Sequence, residues 1–142
     1  MTSNADNRMP VDQQGRGQSG SEAAIAGLSR QFEAMLPALV AAITADIAAL
    51  SEAGADQEAI LGRLRAAVHD LKGQGTSFGY PLITEFGQSL SHLLGHAPLA
   101  AAAIARIALH GDLLTAVAVH RLGGDGGEAG LALRHGLARA MA

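Results

Sequence analysis

The stretch that decides the fold covers residues 61–79 and reads LGRLRAAVHDLKGQGTSFG. Its apolar or very small residues recur at alternating steps of three and four, the spacing of a helix with one buried face. These positions are Leu61, Leu64, Val68, Leu71, Gly75 and Phe78. Gly73 and Gly75 lie inside this pattern, although glycine costs roughly 1 kcal/mol relative to alanine in a helix interior. Because breaks of a local rule often mark functional positions, the surroundings of His69 in this helix are candidates for a functional site.

The composition of the chain favours a single all-α domain. The 142 residues are 49% hydrophobic, with only three Phe, one Tyr and no Trp, and Ala and Leu make up most of the apolar content. Ala and Leu are strong helix formers, whereas the residues that favour strands are scarce. The length is that of one domain with one core.

Charge and cysteine content exclude several functional classes. The absence of Cys rules out disulfides, thiolate catalysis and thiolate metal sites. A net charge of −3 is too small to indicate nucleic acid or an anionic membrane surface as a partner. The N-terminus does not read as a signal peptide, and no uninterrupted apolar stretch approaches the ~18 residues that a membrane span needs. We therefore expect a cytoplasmic protein with neither a membrane nor a nucleic-acid partner.

The N-terminal third is predicted to hold a tail and two helices. Residues 1–20 are almost without apolar groups and are predicted to be disordered. Ser21 begins a first helix, Pro37 separates it from a second, and Gly54 ends the second. The apolar stripe of these two helices comprises Ile25, Leu28, Phe32, Met35, Leu36, Val40, Ile43, Ile47 and Leu50.

Capping signals divide the remainder of the chain. Asp56 caps the central helix, and Gly79 and Pro81 separate it from the next helix. Further helices are predicted over 99–122 and 128–141.

Short connections between long helices place successive helices antiparallel. The sequence therefore predicts an up-and-down antiparallel four-helix bundle with an additional N-terminal helix and a short C-terminal helix. The bundle domain covers residues 21–122. A glycine-rich, flexible hinge and the short helix follow it in residues 123–142.

The central helix turns His69 away from its apolar seam and towards solvent. At about 100° per residue, the neighbours of His69 on the helix surface are mostly very small or basic. They are Gly62, Arg65, Ala66, Lys72, Gly73 and Thr76. An exposed, neutral imidazole can attack an activated phosphoryl group, and the cation of Lys72 can stabilise the transferring charge. The alternative is an ordinary solvated histidine beside a lysine.

The run His69-Asp70-Leu71-Lys72-Gly73, with Gly79 six residues later, resembles the signature of histidine-containing phosphotransfer (HPt) domains. The apolar spacing of Leu82, Phe86 and Leu90 also matches the next helix of that family. The resemblance covers roughly residues 28–122. It implies a four-helix bundle in which His69 is the phosphoacceptor, Lys72 the charge partner and Gly73 the residue that clears space for a partner.

The resemblance also implies the partners. They are response-regulator receiver domains, a hybrid histidine kinase, or both. Mg²⁺ is expected on the receiver, and no cofactor or ATP-dependent kinase activity is expected on this chain. Docking is assigned to Gly62, Arg65, Ala66, Thr76, Gln88 and Ser91. The family often places a Gln on the facing helix near the histidine, and here Gln88, Ser91 and His92 remain alternatives for that role.

Two other constellations offer weaker hypotheses. His92 and His96 are four residues apart and could share a metal, but the sequence shows no third ligand. We therefore predict no metal site and interpret the histidines outside the central helix as solvated. The rivals to the phosphoryl carrier are thus a helical adaptor that is not phosphorylated and, less favoured, a metal-binding bundle.

Overall fold

The computed structural model describes residues 2–96 and 99–142, with side chains described from Gly20 onward. All its elements are helices, so the all-α prediction is confirmed for these residues. They are α1 (Thr2–Ala49), α2 (Gln57–Gly75), a 3₁₀ helix (Thr76–Phe78), α3 (Pro81–Leu94), α4 (Ala101–Val119) and α5 (Gly127–Met141).

Helices α1 to α4 form a closed ring of neighbours. Helix α1 packs against α2 and α4, and α3 also packs against α2 and α4, while α5 lies against α4. Each helix of the ring contributes apolar side chains to one core. The most deeply buried are Leu36, Val40, Ile43, Leu64, Val68, Leu82, Ile83, Phe86, Leu90, Leu94, Ile107, Leu114 and Val117. Burying each such side chain stabilises the fold by about 1.5–3 kcal/mol.

The ends of the central helices lie where the local signals predict them. The Asp56 carboxylate accepts a hydrogen bond from the Ala59 amide at 3.2 Å, which satisfies a free donor in the first turn of α2. Gly79 ends the 3₁₀ helix with a φ of 88°, a value that favours glycine. Pro81 is the first residue of α3.

The prediction that Pro37 separates two helices is wrong. Helix α1 continues through Pro37, whose side chain is exposed. A proline inside a helix costs about 3 kcal/mol. However, one stripe of α1 is buried in the core both before Pro37, at Phe32 and Leu36, and after it, at Val40. The burial of this stripe outweighs the local penalty, so the additional N-terminal helix is part of α1.

The beginning of α1 also differs from the prediction. The helix begins at Thr2, so Ser21 is not its start. The disorder that the composition predicts for residues 1–20 stays a prediction. Extending an existing helix needs no new nucleus, which removes the need for a start signal at Ser21. The domain boundaries at residues 20 and 122 stay predictions.

The glycine-rich segment after α4 forms a turn that is hydrogen-bonded to the connection between α2 and α3, and the flexibility that the sequence predicts for it stays a prediction. The Gly124 amide donates to the Gly79 carbonyl at 2.9 Å, and φ is positive at Gly124, Gly126 and Gly127. These glycines are therefore needed for the turn itself. The predicted C-terminal helix is present as α5.

Two helices are long and apolar enough, by length and composition, to cross a membrane: Gly20–Ala49 within α1, and α4. Neither helix is apolar without interruption, and both reach this threshold only on average, so the expectation that the chain has no membrane span stays a prediction. Both helices also contribute to the core. Core helices of soluble proteins have the same composition, so this property alone does not establish a membrane segment.

Candidate functional site

His69 lies on the exposed face of α2. Val68 and Leu71, its neighbours on the seam, are buried in the core. Among the side chains that the structure describes, none makes a hydrogen bond or an ion pair with the imidazole of His69. The ring is therefore accessible to a partner, as the helical spacing predicts.

Lys72 lies one turn beyond His69 and is tied to the facing helix. It is half-buried, and its Nζ donates to Oε1 of Gln88 on α3 at 3.0 Å. Of the three facing-helix candidates, Gln88 is thus the one that contacts the lysine. Ser91 is half-buried, and His92 is exposed. A direct role of any of these three towards His69 stays a prediction.

Gly62 and Gly73 leave the surface around His69 flat. Both are exposed, and a Cβ added at either position would meet no atom within 4 Å. Internal packing therefore does not require glycine at these two positions. Ala66, on the same face, is also exposed and small.

Gly75 belongs to a different environment, as the seam predicts. It is buried, and an added Cβ would lie 2.7 Å from Oγ1 of Thr84 and 2.8 Å from the carbonyl oxygen of Tyr80. Gly87 on α3 is similar, because its added Cβ would lie 2.9 Å from the Cβ of Lys72. Both glycines allow α2 and α3 to approach closely.

Thr84 joins α2 to α3 beside Lys72. Its hydroxyl donates to the Lys72 carbonyl and accepts from the amide and the hydroxyl of Thr76, each at 2.9 Å. Sequence periodicity does not single out Thr84 or Gly87, since neither is apolar or charged. The one signal that the sequence offers is two small residues one turn apart on a helix that faces another helix.

Arg65 remains exposed but is anchored to α3. Its Nε donates to the carbonyl oxygen of Leu94 at 2.9 Å, at the C-terminal end of α3. This bond satisfies one of the free carbonyls there, and a cation is favourable at that helix end. Arg65 therefore contributes positive charge to the face of His69 from a fixed position.

An apolar groove between α1 and α2 adjoins this face. Asp70, which follows His69, and Gln74, one turn further along α2, line the groove together with Met35 and Leu39 of α1. Met35 is 57% exposed, so the groove has an apolar rim open to solvent. The sequence places Met35, like Ile25 and Leu28, on a core stripe. This placement is wrong, because all three side chains are exposed, and Met35 lies beside the buried stripe although Phe32 and Leu36 on either side of it in sequence are buried.

The other histidines fall into two environments. His92 and His96 are exposed with ring centroids 4.8 Å apart, and Nδ1 of His96 is hydrogen-bonded to the His92 carbonyl. Within the described ranges, no three His, Asp or Glu side chains lie close enough together to hold a metal ion.

His110 is fully buried, so its interpretation as a solvated histidine is wrong. Nδ1 donates to the Arg106 carbonyl at 2.6 Å, and Nε2 accepts from the Ser89 hydroxyl at 2.7 Å. Burial lowers the pKa of His110, and the hydrogen bond to the Arg106 carbonyl opposes part of that change. The histidine is placed here because Ser89 and the carbonyl satisfy both ring nitrogens, a partnership that periodicity does not show.

Comparisons with protein-family models, with curated proteins and with solved structures find no match for this chain.

Proposed function

We propose that this chain is a histidine phosphotransfer protein, which accepts a phosphoryl group on His69 from the aspartate of a receiver domain and relays it to another response regulator. The observation that carries the proposal is the exposed His69 on a face cleared by Gly62 and Gly73, with Lys72 one turn away and held by Gln88. The resemblance of this segment to the HPt signature supports it.

The proposed architecture is an up-and-down antiparallel four-helix bundle made of α1 to α4, to which α5 is added. The closed ring of neighbours and the short connections from α1 to α2 and from α2 to α3 support it. In such a bundle, the core faces fix the rotation of each helix. His69 then points outward because Val68 and Leu71 point inward.

The proposed chemistry is phosphoryl transfer between two carriers. The unprotonated ring nitrogen of His69 forms a bond to phosphorus while the bond from phosphorus to the aspartyl oxygen of the receiver breaks, which restores the receiver carboxylate. The ammonium of Lys72 stabilises negative charge on the transferring group. The donor is already an acyl phosphate, so the proposal includes no ATP-dependent kinase step on this chain.

The proposed partners are receiver domains, either of response regulators or of a hybrid histidine kinase. The partner docks over Gly62, Arg65, Ala66 and Thr76, and its apolar surface covers the groove beside Met35. Mg²⁺ is carried by the receiver, and this chain supplies no cofactor. A cytoplasmic location belongs to the same proposal.

Transfer from a phosphorylated receiver tests the proposal. We expect the protein to take up label that is stable to alkali and lost in acid, and His69→Gln to abolish the label without loss of helicity. His120→Gln is the matched control, because it removes another exposed histidine, outside the candidate site, and should leave labelling unchanged. Lys72→Ala should slow transfer roughly tenfold or more, since it removes one charge that stabilises the transition state.

Three outcomes would contradict the proposed function or the roles given to His69 and Lys72. No labelling by any cognate receiver, with the fold intact, would favour the adaptor that is not phosphorylated. Unfolding of the His69→Gln variant would show that the imidazole supports the core. Unaltered transfer by Lys72→Ala would remove Lys72 from the mechanism.

A further inference from the structure

We propose that Thr84 is a positioning residue, which fixes the turn that carries Lys72, one turn beyond His69 on α2, and thereby limits the movement of its ammonium. This inference rests on the proposed phosphotransfer function. It adds a residue of α3 that lies outside the signature.

The Thr84 hydroxyl uses its whole hydrogen-bonding capacity on one turn of α2. It has one donor and two acceptor positions. The donor goes to the carbonyl oxygen of Lys72, and the acceptors take the amide and hydroxyl hydrogens of Thr76. In an uninterrupted α-helix, the Lys72 carbonyl and the Thr76 amide are partners of each other. Thr84 therefore bridges these two groups at the point where α2 tightens into the 3₁₀ helix.

Two glycines leave the space that the hydrogen bonds of Thr84 to Lys72 and Thr76 require. Gly75 lies opposite Thr84, and a side chain there would come within 2.7 Å of the Thr84 hydroxyl oxygen. Gly87, one turn further along α3, lies opposite the Cβ of Lys72. In two places, therefore, a glycine of one helix faces a side chain of the other: Gly75 of α2 faces Thr84, and Gly87 of α3 faces Lys72.

Helix α3 consequently holds Lys72 at three points. Thr84 binds its carbonyl, Gly87 contacts its Cβ, and Gln88 accepts a hydrogen bond from its Nζ. A free lysine side chain samples many rotamers, and ordering it during the reaction would reduce the rate. Because α3 holds both the turn and the ammonium of Lys72, less of this ordering has to occur during the transfer.

Substitution of the Thr84 hydroxyl tests this role. Thr84→Val keeps the shape of the side chain but removes the hydroxyl, and Thr84→Ser restores the hydroxyl. We expect transfer to His69 to slow about threefold to tenfold in Thr84→Val, because of its three lost hydrogen bonds only the one to the Lys72 carbonyl acts directly on the lysine, and one hydrogen bond supports this range. Transfer should remain within about twofold of wild type in Thr84→Ser. Thr115→Val is the matched control, because it removes a hydroxyl that bonds only within α4.

A double-mutant cycle separates positioning from general stability. If Thr84 acts through Lys72, adding Thr84→Val to Lys72→Ala should change the transfer rate less than about twofold. An equal effect of Thr84→Val with and without Lys72 would overturn the inference, as would wild-type transfer by Thr84→Val. If Thr84→Val does not fold, Thr84→Ala replaces it, since alanine also lacks the hydroxyl and is smaller.

Amide hydrogen exchange provides a readout that does not depend on transfer. The Thr76 amide should exchange faster in Thr84→Val and at the wild-type rate in Thr84→Ser, and equal exchange in all three proteins would contradict the bridge. Labelling of the wild type distinguishes the two proposals. If the wild type is not labelled, the proposed function fails and this inference fails with it. If the wild type is labelled and Thr84→Val transfers normally, this inference alone fails.

Discussion

Gly73 and Gly75 lie two residues apart in the last turns of α2 and meet different surroundings. A Cβ at Gly73 would enter open space beside His69, whereas a Cβ at Gly75 would press on Thr84 and on the backbone of Tyr80. Both glycines are helical, so an alanine would lower the conformational entropy of the unfolded chain equally at the two positions. Their packing decides how each responds to substitution.

We therefore predict opposite changes in stability for the two alanine variants. Gly73→Ala should raise the free energy of unfolding by about 0.5–1 kcal/mol, because alanine is the better helix former and nothing obstructs its methyl group. Gly75→Ala should lower it by about 1–3 kcal/mol, as expected for overpacking. Urea unfolding followed by circular dichroism measures both values. Equal changes in the two variants would contradict the assignment of Gly75 to packing.

The same pair connects stability with the proposed function. If Gly73 clears space for a receiver domain, Gly73→Ala should transfer phosphoryl groups more slowly although it is more stable. Normal transfer by this variant would remove Gly73 from the docking face.

At the scale of elements, the capping signals around α2 and α3 are the part of the fold that the sequence predicts well, whereas the prediction that Gly54 ends α1 is wrong, because α1 ends at Ala49. The ends of α2 and α3 depend on Asp56, Gly79 and Pro81, each of which acts within a few residues of its own position. The continuity of α1 through Pro37 depends instead on what packs against it. The local signal at Pro37 therefore predicts a boundary that does not exist, because burial of the apolar stripe stabilises the continuous helix by more than the proline destabilises it.

The interface between α3 and α4 contains a buried polar pair, His110 with Ser89, that links stability to pH. Burial lowers the pKa of His110 from its ordinary value near 6.5. The unfolded chain then binds a proton more readily than the folded chain, so stability rises with pH in this range. The contribution of neutral His110 is complete above about pH 6.5 and is lost as the pH falls towards the lower, folded-state pKa.

We predict that the free energy of unfolding declines as the pH falls below about 6.5, and that it declines less in His110→Gln over the same interval. His120→Gln, which replaces an exposed histidine, should keep the wild-type pH dependence. Urea unfolding at a series of pH values measures all three proteins. A wild-type slope in His110→Gln would show that another group causes the dependence.

At the scale of the whole molecule, the candidate site depends on how helices pack. The exposure of His69 was predictable because it needs only the period of one helix. The contacts of Lys72 with Thr84, Gly87 and Gln88 depend on the distance and rotation between α2 and α3, which one helix does not encode. The groove beside Met35 likewise depends on how α1 packs against α2, since residues of both helices line it.

Tyr80 connects three distant parts of the chain. It is buried in the connection before α3, and its hydroxyl donates to the carboxylate of Glu33 in α1 at 2.7 Å. The same carboxylate lies 3.6 Å from the guanidinium of Arg121, which follows α4. Burial and then the bond to Glu33 raise the pKa of Tyr80 to about 12.

Because the folded chain holds the phenolic proton more tightly than the unfolded chain, the contribution of Tyr80 to stability is complete below pH 10.0 and is lost as the pH rises towards about 12. Tyr80 is the only tyrosine and the chain has no Trp, so tyrosinate absorbance reports this group alone. We predict a titration midpoint near 12 for the folded protein and near 10.0 in urea. Glu33→Gln should lower the folded midpoint, since it removes the negative charge that opposes ionisation. The same midpoint in folded and unfolded protein would show that Tyr80 does not join α1 to the rest of the bundle in solution.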